Sequence, residues 1–316
     1  MTCESSDCDL LKILHSHCGV PDGAGVGSAA VCTRRLDPNP RRRPEYRLAT
    51  EFWRCGDRAF VVKRATAASG EFLKVIARRE QEAAEYFDGH AEVVTGRLCG
   101  RELVYEFFDE PSLEVKMRES LQNGGEDAGS SWLDGYARFV RSLPSRLCRP
   151  VEFFRELGLP VESAGSSVTC LAMAPIDLIP SNILVGSGGW RICDNEFFFD
   201  WALPRDLVIY RGVTTLANRV QQSITSKERS WEIVPLSGGG RKTVFVPQPW
   251  LKVLKDLELS LRSLGEWSWR FEGTILYRSA PSFIRPGLLR HIGQSERPVD
   301  SVRHWIRWAL KQAGRR

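Results

Sequence analysis

The chain has 316 residues, of which 42% are hydrophobic and 26% charged, and a net charge of +5. That length suits one large domain or two modest ones, and the composition is globular, which excludes a chain disordered through most of its length. The weak basic excess suits a phosphate-bearing ligand, but it is too small to indicate nucleic-acid binding, and no RNP, zinc-finger or basic-zipper pattern accompanies it.

Residues 1–44 read as a flexible leader. "GVPDGAGVGSAA" is Gly/Ala-rich and "RRLDPNPRRRP" is a Pro/Arg run, and neither holds a period for long. Cys3, Cys8, His15, His17 and Cys18 invite a zinc site, yet their spacing fits no familiar ligand knuckle. "GAGVGS" lacks the apolar strand that leads into a dinucleotide fingerprint.

"EYRLATEFWRCGDRAFVVKRA" predicts strand, turn, strand, with Cys55-Gly56-Asp57 at the turn. "SGEFLKVIARREQEAAEYF" predicts a helix, since Phe72, Val75, Ile76, Ala83 and Phe87 recur at helical spacing after a capping Ser69. "AEVVTGRLCGRELVYEFFDEP" gives two strands around a Cys-Gly-Arg turn, and "SLEVKMRESLQ" opens a helix after Pro111. "SWLDGYARFVRSL" and "VEFFRELGL" are short amphipathic runs, and "SVTCLAMA" is an apolar strand. "RDLVIYRGVTTLANRVQQSI" predicts a helix; "GGGRKTVFVPQPWLKVLKDLELSLRSL" predicts a loop, a short strand and a helix from near Pro249. "VDSVRHWIRWALKQAGRR" reads as a basic amphipathic helix, packed on the domain or lying on an anionic membrane or a partner. Strands thus cluster early and helices late. The expectation is an α+β chain with a β-rich lobe over 45–110 and a larger helical lobe over 111–316.

The chemistry concentrates in "DLIPSNILVGSGGWRICDNE". Asp177 and Asn182 lie five apart in a loop stiffened by Pro180. "ILV", "GSGG" and "WRIC" predict a hairpin that returns Asp194 beside Asn182. Two hard oxygen donors there suit a cation such as Mg²⁺, and Asp177 is left free to accept a hydrogen bond from an attacking hydroxyl.

This stretch resembles the working end of a protein-kinase-like phosphotransferase, with an Asp-x-x-x-x-Asn loop and a metal-binding Asp after a short hairpin. It looks like the aminoglycoside-phosphotransferase-like branch of that fold. It is most similar to the kinase domains found with methyltransferases and glycosyltransferases in bacterial surface-polysaccharide (O-antigen) assembly, which "FFFDWALPRDLVIYRGV" also resembles. The resemblance implies a two-lobed protein-kinase-like fold and ATP-dependent, Mg²⁺-assisted phosphoryl transfer to a hydroxyl of a small molecule or glycan. It implies Asp177 as catalytic base and Asn182 and Asp194 as metal ligands. Lys63 would hold the nucleotide phosphates through a partner on the next helix, Glu80 or Glu82. Helical phase leaves that choice open, and the "RRE" pattern of the branch favours Glu80. The backbone of Glu106, Phe107 and Phe108 would meet the adenine.

Three departures stand out. Ala174-Pro175-Ile176 replaces the usual His-containing lead-in, no G-x-G-x-x-G precedes Lys63, and no Ala-Pro-Glu follows. The phosphate-covering loop is therefore expected to be short, unusual or absent, and a protein substrate is not expected. An alternative follows, in which the chain is an inactive kinase-like scaffold for a methyltransferase or glycosyltransferase. Glu196 reads as a second metal ligand or a structural carboxylate. Arg211 reads as a tie to the catalytic loop or a surface residue, and Trp190 and Trp201 as core or stacking groups. The nine cysteines show no repeated spacing, and no apolar run approaches 18 residues, so a cytoplasmic protein is expected, with membrane contact only through the C-terminal helix.

Overall fold

A computed structural model describes residues 30–38, 42, 44–160, 166–223, 231–235, 243–247 and 250–271. The Cys/His cluster of the leader and the C-terminal helix with its expected membrane contact lie outside these residues. Among the described residues no helix is long and apolar enough to cross a membrane.

The first part of the chain builds a five-stranded antiparallel sheet. Its strands are β1 (Val31–Leu36), β2 (Leu48–Cys55), β3 (Arg58–Ala65), β5 (Arg97–Cys99) and β6 (Glu102–Glu106), in the order β1-β2-β3-β6-β5. A two-residue turn at Gly56-Asp57 joins β2 to β3, and Gly56 sits at φ +59, where a side chain would be strained. Helix α1 (Gly70–Tyr86) lies on one face of the sheet, burying Phe72, Leu73 and Ile76 against Leu48, Ala65, Leu103 and Tyr105. The alternate residues Cys55, Phe60, Val62 and Val104 cluster on the opposite face.

Strand β1 corrects the expected leader, which does not run unbroken to residue 44. All six residues of β1 are exposed, so the strand shows no apolar alternation by which a sequence reader could find it. It is held instead by backbone pairing to β2, from Val31 opposite Arg54 to Leu36 opposite Thr50.

The second part is mainly helical. Helix α2 (Leu113–Ser142) starts at a Ser112 side chain that accepts the Val115 amide. The sequence predicts two separate helices here, and one forms. Each Gly in that span costs roughly 1 kcal/mol of helix propensity. Burial of Leu113, Met117, Leu121, Leu133, Tyr136 and Val140 outweighs this at about 2 kcal/mol for each large side chain. The short elements β7 (Ser145–Cys148), α3 (Val151–Glu156), β8 (Val168–Leu171) and β9 (Ala174–Pro175) lead to the loop that carries Asp177 and Asn182. The hairpin β10 (Ile183–Gly186) and β11 (Gly189–Ile192) follows, with β11 pairing parallel to β4 (Glu92–Val93). Then come β12 (Phe198–Phe199), β13 (Leu203–Pro204) and α4 (Arg205–Ser223). Helix α4 is buried on nearly all sides from Leu207 to Ala217 and forms the middle of the large core.

Strand β14 (Trp231–Pro235) pairs with β15 (Thr243–Pro247), a partner that the sequence reading lacks. The single helix expected from Pro249 is two, α5 (Leu251–Lys255) and α6 (Leu261–Phe271). Asp206 causes the break. Its carboxylate accepts the amides of Glu258 at 2.6 Å and Leu259 at 3.0 Å, holding the chain in a turn, and Ser260 then caps α6 by accepting the Ser263 amide. Trp190 packs edge-on to Phe139, and Trp201 stacks on Phe199 beside Phe153, so both serve the core.

Candidate active site

Lys63 lies in the middle of β3, between Thr50 on β2 and Leu103 on β6. Alternation turns it to the α1 face, where it is 7% exposed. Its ammonium donates to Asp194 Oδ1 at 2.5 Å and Glu196 Oε1 at 2.8 Å. Burial opposes its charge, but these two carboxylates prevail and hold its proton well above the ordinary lysine range.

The expected Lys63–Glu80 pair does not form. Glu80 is buried on α1, but its carboxylate accepts the Tyr105 hydroxyl at 2.6 Å and the Gly96 amide at 2.8 Å. Burial raises its proton affinity despite those bonds. Glu82, the other candidate, pairs with Arg78 at 3.5 Å on the helix exterior. Glu196 of the large lobe takes the partner's place. It is 6% exposed and lies between Lys63 and Arg42, whose Nη1 reaches Oε2 at 2.6 Å. Burial works against its charge, but the two cations overcome it and hold the carboxyl at about 2. Arg79 of α1 donates to the Glu196 carbonyl at 2.8 Å and lies over the Phe199 ring, a further bond between the lobes.

The hairpin does what its sequence predicts. Ile183 pairs with Ile192, and the Cys193 amide donates to the Asn182 carbonyl at 2.9 Å, which brings Asp194 next to Asn182. Asp194 stands at φ +61, in the left-handed region. Such strain costs of order 1–3 kcal/mol and gathers at functional sites. The Asp194 side chain is 48% exposed, open to the cleft. Asn182 Nδ2 donates to the Asp177 carbonyl at 3.0 Å, so Asn182 pins the loop that carries Asp177.

The Asp177 side chain is 21% exposed, and Arg211 Nη2 lies 3.8 Å from its carboxylate. Burial raises the Asp177 carboxyl to about 7, with Arg211 opposing and Asp194 and Glu196 adding to the rise. Two groups brace the loop where a histidine is lacking. The Tyr136 hydroxyl points between the carbonyls of Leu178 at 2.7 Å and Val208 at 3.0 Å, and the buried Arg211 donates to the Ile176 carbonyl at 3.4 Å. Gly212 permits this, because a Cβ there would collide with the Tyr136 ring and hydroxyl. Tyr136→Phe leaves the Leu178 carbonyl without this donor in a buried place. It is expected to lower stability by about 1–3 kcal/mol, measured by urea unfolding.

At the junction between the lobes, Glu106 is exposed and pairs with Arg58 at 3.0 Å, while the Phe107 amide is taken by the Ala59 carbonyl at 2.9 Å. Arg191 of β11 covers the Phe108 ring at 4.6 Å and pairs with Glu110, and also with Glu92 at 2.6 Å. An adenine would therefore find the Phe107 amide already used.

Among the described residues no three His, Cys, Asp or Glu side chains converge as a metal site. The hairpin sets together Asn182 Oδ1, which accepts the Ser181 hydroxyl at 3.2 Å, and the half-exposed Asp194 carboxylate, which Lys63 meets at 2.5 Å. Such a pair matches a cation that keeps several waters and shares phosphate oxygens, but not an all-protein cage.

No family model matches the sequence, and no curated protein matches it. Among solved structures, an aminoglycoside-3'-phosphotransferase of type VIII is 18% identical, covers 84% of this chain and 98% of its own, and has a TM-score of 0.43. A choline kinase from Streptococcus pneumoniae is 12% identical over 84% of this chain and 91% of its own, with a TM-score of 0.36. The macrolide 2'-phosphotransferase of Brachybacterium faecium is 11% identical over 70% and 82%, with a TM-score of 0.33. Likeness this distant says nothing of substrate or residue roles. By its five-strand order, its lysine-bearing central strand and its helical second lobe, the chain has the α+β, two-lobed, kinase-like architecture its sequence predicts.

Proposed function

We propose that the chain is an ATP-dependent phosphotransferase that acts on a hydroxyl of a small molecule or glycan. One observation supports the reading: Lys63 of the small lobe meets Asp194 of the large lobe at 2.5 Å, and Asp177, on the loop that Asn182 pins, lies in the field of Asp194. Residues 45–110 would hold the nucleotide, with adenine near Glu106, Phe107 and Phe108 but not on the Phe107 amide, which the Ala59 carbonyl holds, and residues 111–316 would supply the acceptor side. Lys63, kept charged by Asp194 and Glu196, would anchor the phosphates. Asp177 would orient the acceptor hydroxyl. As that oxygen bonds to the γ-phosphorus, the bond to the bridging oxygen of the departing ADP breaks and the hydroxyl proton passes to Asp177. Asn182 and Asp194 would hold Mg²⁺, whose charge, when bound, offsets that of the phosphate oxygens. A carboxyl poised at about 7 suits proton acceptance near neutral pH.

The test is turnover of ATP with candidate acceptors by wild type and Asp194→Ala. Activity in the wild type and a loss of about 10³-fold in the variant are expected, the scale of one well-placed electrostatic group. Equal turnover in both proteins would sink the assignment.

A second reading has a specific observation behind it. The Lys63 ammonium sits on the very carboxylate that would take the cation. An inactive scaffold that partners a methyltransferase or glycosyltransferase, as in surface-polysaccharide assembly, needs no more than this closed ion pair. Thermal shift separates the two readings: stabilisation by Mg-ATP supports the phosphotransferase, and its absence supports the scaffold.

A further inference from the structure

Strand β1 brings a cation to the cleft. Its last residue, Leu36, stands opposite Thr50, and Thr50 is in turn paired with Lys63. The end of β1 and the start of β2 therefore both lie at the lysine end of the sheet. The β2–β3 turn and the Phe107–Ala59 bond lie at the other end. In a kinase-like lobe the loop at the lysine end covers the phosphates. Here its sequence is "DPNPRRRPEYR", which has three prolines and no glycine. Prolines lack the amide hydrogens that a glycine-rich loop offers to phosphate.

We infer that Arg42 is a phosphate-binding residue, held on one edge by Glu196 while the rest of its guanidinium takes the terminal phosphates of a nucleotide in place of backbone amides. The inference rests on the phosphotransferase reading above. Arg42 comes from a loop of the small lobe, yet its Nη1 bonds Glu196 of the large lobe at 2.6 Å. Its carbonyl is fixed by Arg47 Nε at 2.8 Å, and its guanidinium lies over the Phe197 ring at 5.7 Å. A guanidinium has five N–H donors, and among the described residues Glu196 is the one side-chain acceptor that Arg42 meets. The side chain is 29% exposed, so donors remain for a ligand. Burial weakens its charge, but Glu196 first, then Asp194 and Asp177, more than restore it, so Arg42 lies in the field of these carboxylates. The chain Arg42–Glu196–Lys63–Asp194 alternates in sign, so Glu196 sets both cations side by side at one margin of the cleft. A guanidinium already oriented in this way loses little freedom when an anion arrives, and its planar fork matches phosphate oxygens.

The experiment measures adenosine, ADP and ATP binding calorimetrically, with Mg²⁺, to the full chain as wild type, Arg42→Ala and Arg42→Lys. Arg42→Ala is expected to weaken ADP and ATP by about 10- to 100-fold, the range of one charge-assisted bond, and to leave adenosine unchanged. Arg42→Lys, which keeps charge but not the fork, falls between. ATP binding by Arg42→Ala equal to wild type, or equal losses for adenosine and ATP, overturns the inference and leaves the phosphotransferase reading standing. A wild type that binds none of the three overturns both. Should Arg42→Ala fail to fold, Arg42→Gln carries the same comparison with the same outcomes.

Discussion

Asp177→Asn is expected to lower turnover by about 10²- to 10⁴-fold, the usual contribution of a positioned base. In the same protein it is expected to raise the melting temperature at alkaline pH. Both effects have one cause. Burial raises the Asp177 carboxyl from 3.8 to about 7, against the pull of Arg211. The ionised form accepts the proton, so wild-type turnover should climb as pH rises through about 7 and then level off. Stability runs the other way. The folded state binds this proton more tightly than the unfolded chain, so the contribution is complete below about pH 4 and is lost as pH rises towards 7. Three decades of proton affinity correspond to at most about 4 kcal/mol. Asn cannot ionise and escapes that loss. The variant should therefore melt higher than wild type above pH 7, and the gap should close towards pH 4. A flat rate profile, or a variant that melts lower at pH 8 than at pH 5 relative to wild type, would contradict the assignment.

The parts legible in the sequence are those with a local period or a fixed spacing. The β2–β3 hairpin, α1, α4 and the Asn182–Asp194 hairpin all follow from runs of apolar residues and glycine turns, and each forms as read. What was hidden depends on contacts between distant segments. β1 has no buried residue, so backbone pairing to β2 and surface contacts such as Arg35 to Glu51 at 3.3 Å define it. Glu80 and Glu196 are equally acidic on paper. They are told apart by Tyr105 and Gly96, which satisfy the first, and by Arg42, which joins Lys63 on the second. Tyr136 gave no signal as a brace of the Asp177 loop, because its partner Leu178 is 42 residues away. One clue was available: "RRRP" and "DNE" supply complementary charges to a lysine strand that lacks its glycine loop.

Glu196→Gln carries the largest expected change in stability. Glu196 is the anion between two cations, with Lys63 at 2.8 Å on one oxygen and Arg42 at 2.6 Å on the other. Removing one member of a buried ion pair costs roughly 3–5 kcal/mol, because the remaining charge stays desolvated. Lys63 keeps Asp194 at 2.5 Å, which places the expected loss near the lower end, about 3 kcal/mol. Proton linkage gives the same size. The Glu196 carboxyl falls from 4.5 to about 2 on folding, and that difference is worth about 3 kcal/mol. The sign is opposite to that of Asp177: this stability is present above pH 4.5 and is lost as pH falls through about 2. Wild type should therefore unfold more steeply in acid than Glu196→Gln, and the two should converge near pH 2. At neutral pH the variant should melt roughly 5–10 °C lower. Combining it with Arg42→Ala separates a pair from two independent sites. If Glu196 and Arg42 stabilise each other, the double variant loses less than the sum of the singles, by about 1 kcal/mol or more. Strict additivity would mean that the 2.6 Å contact contributes nothing to the fold.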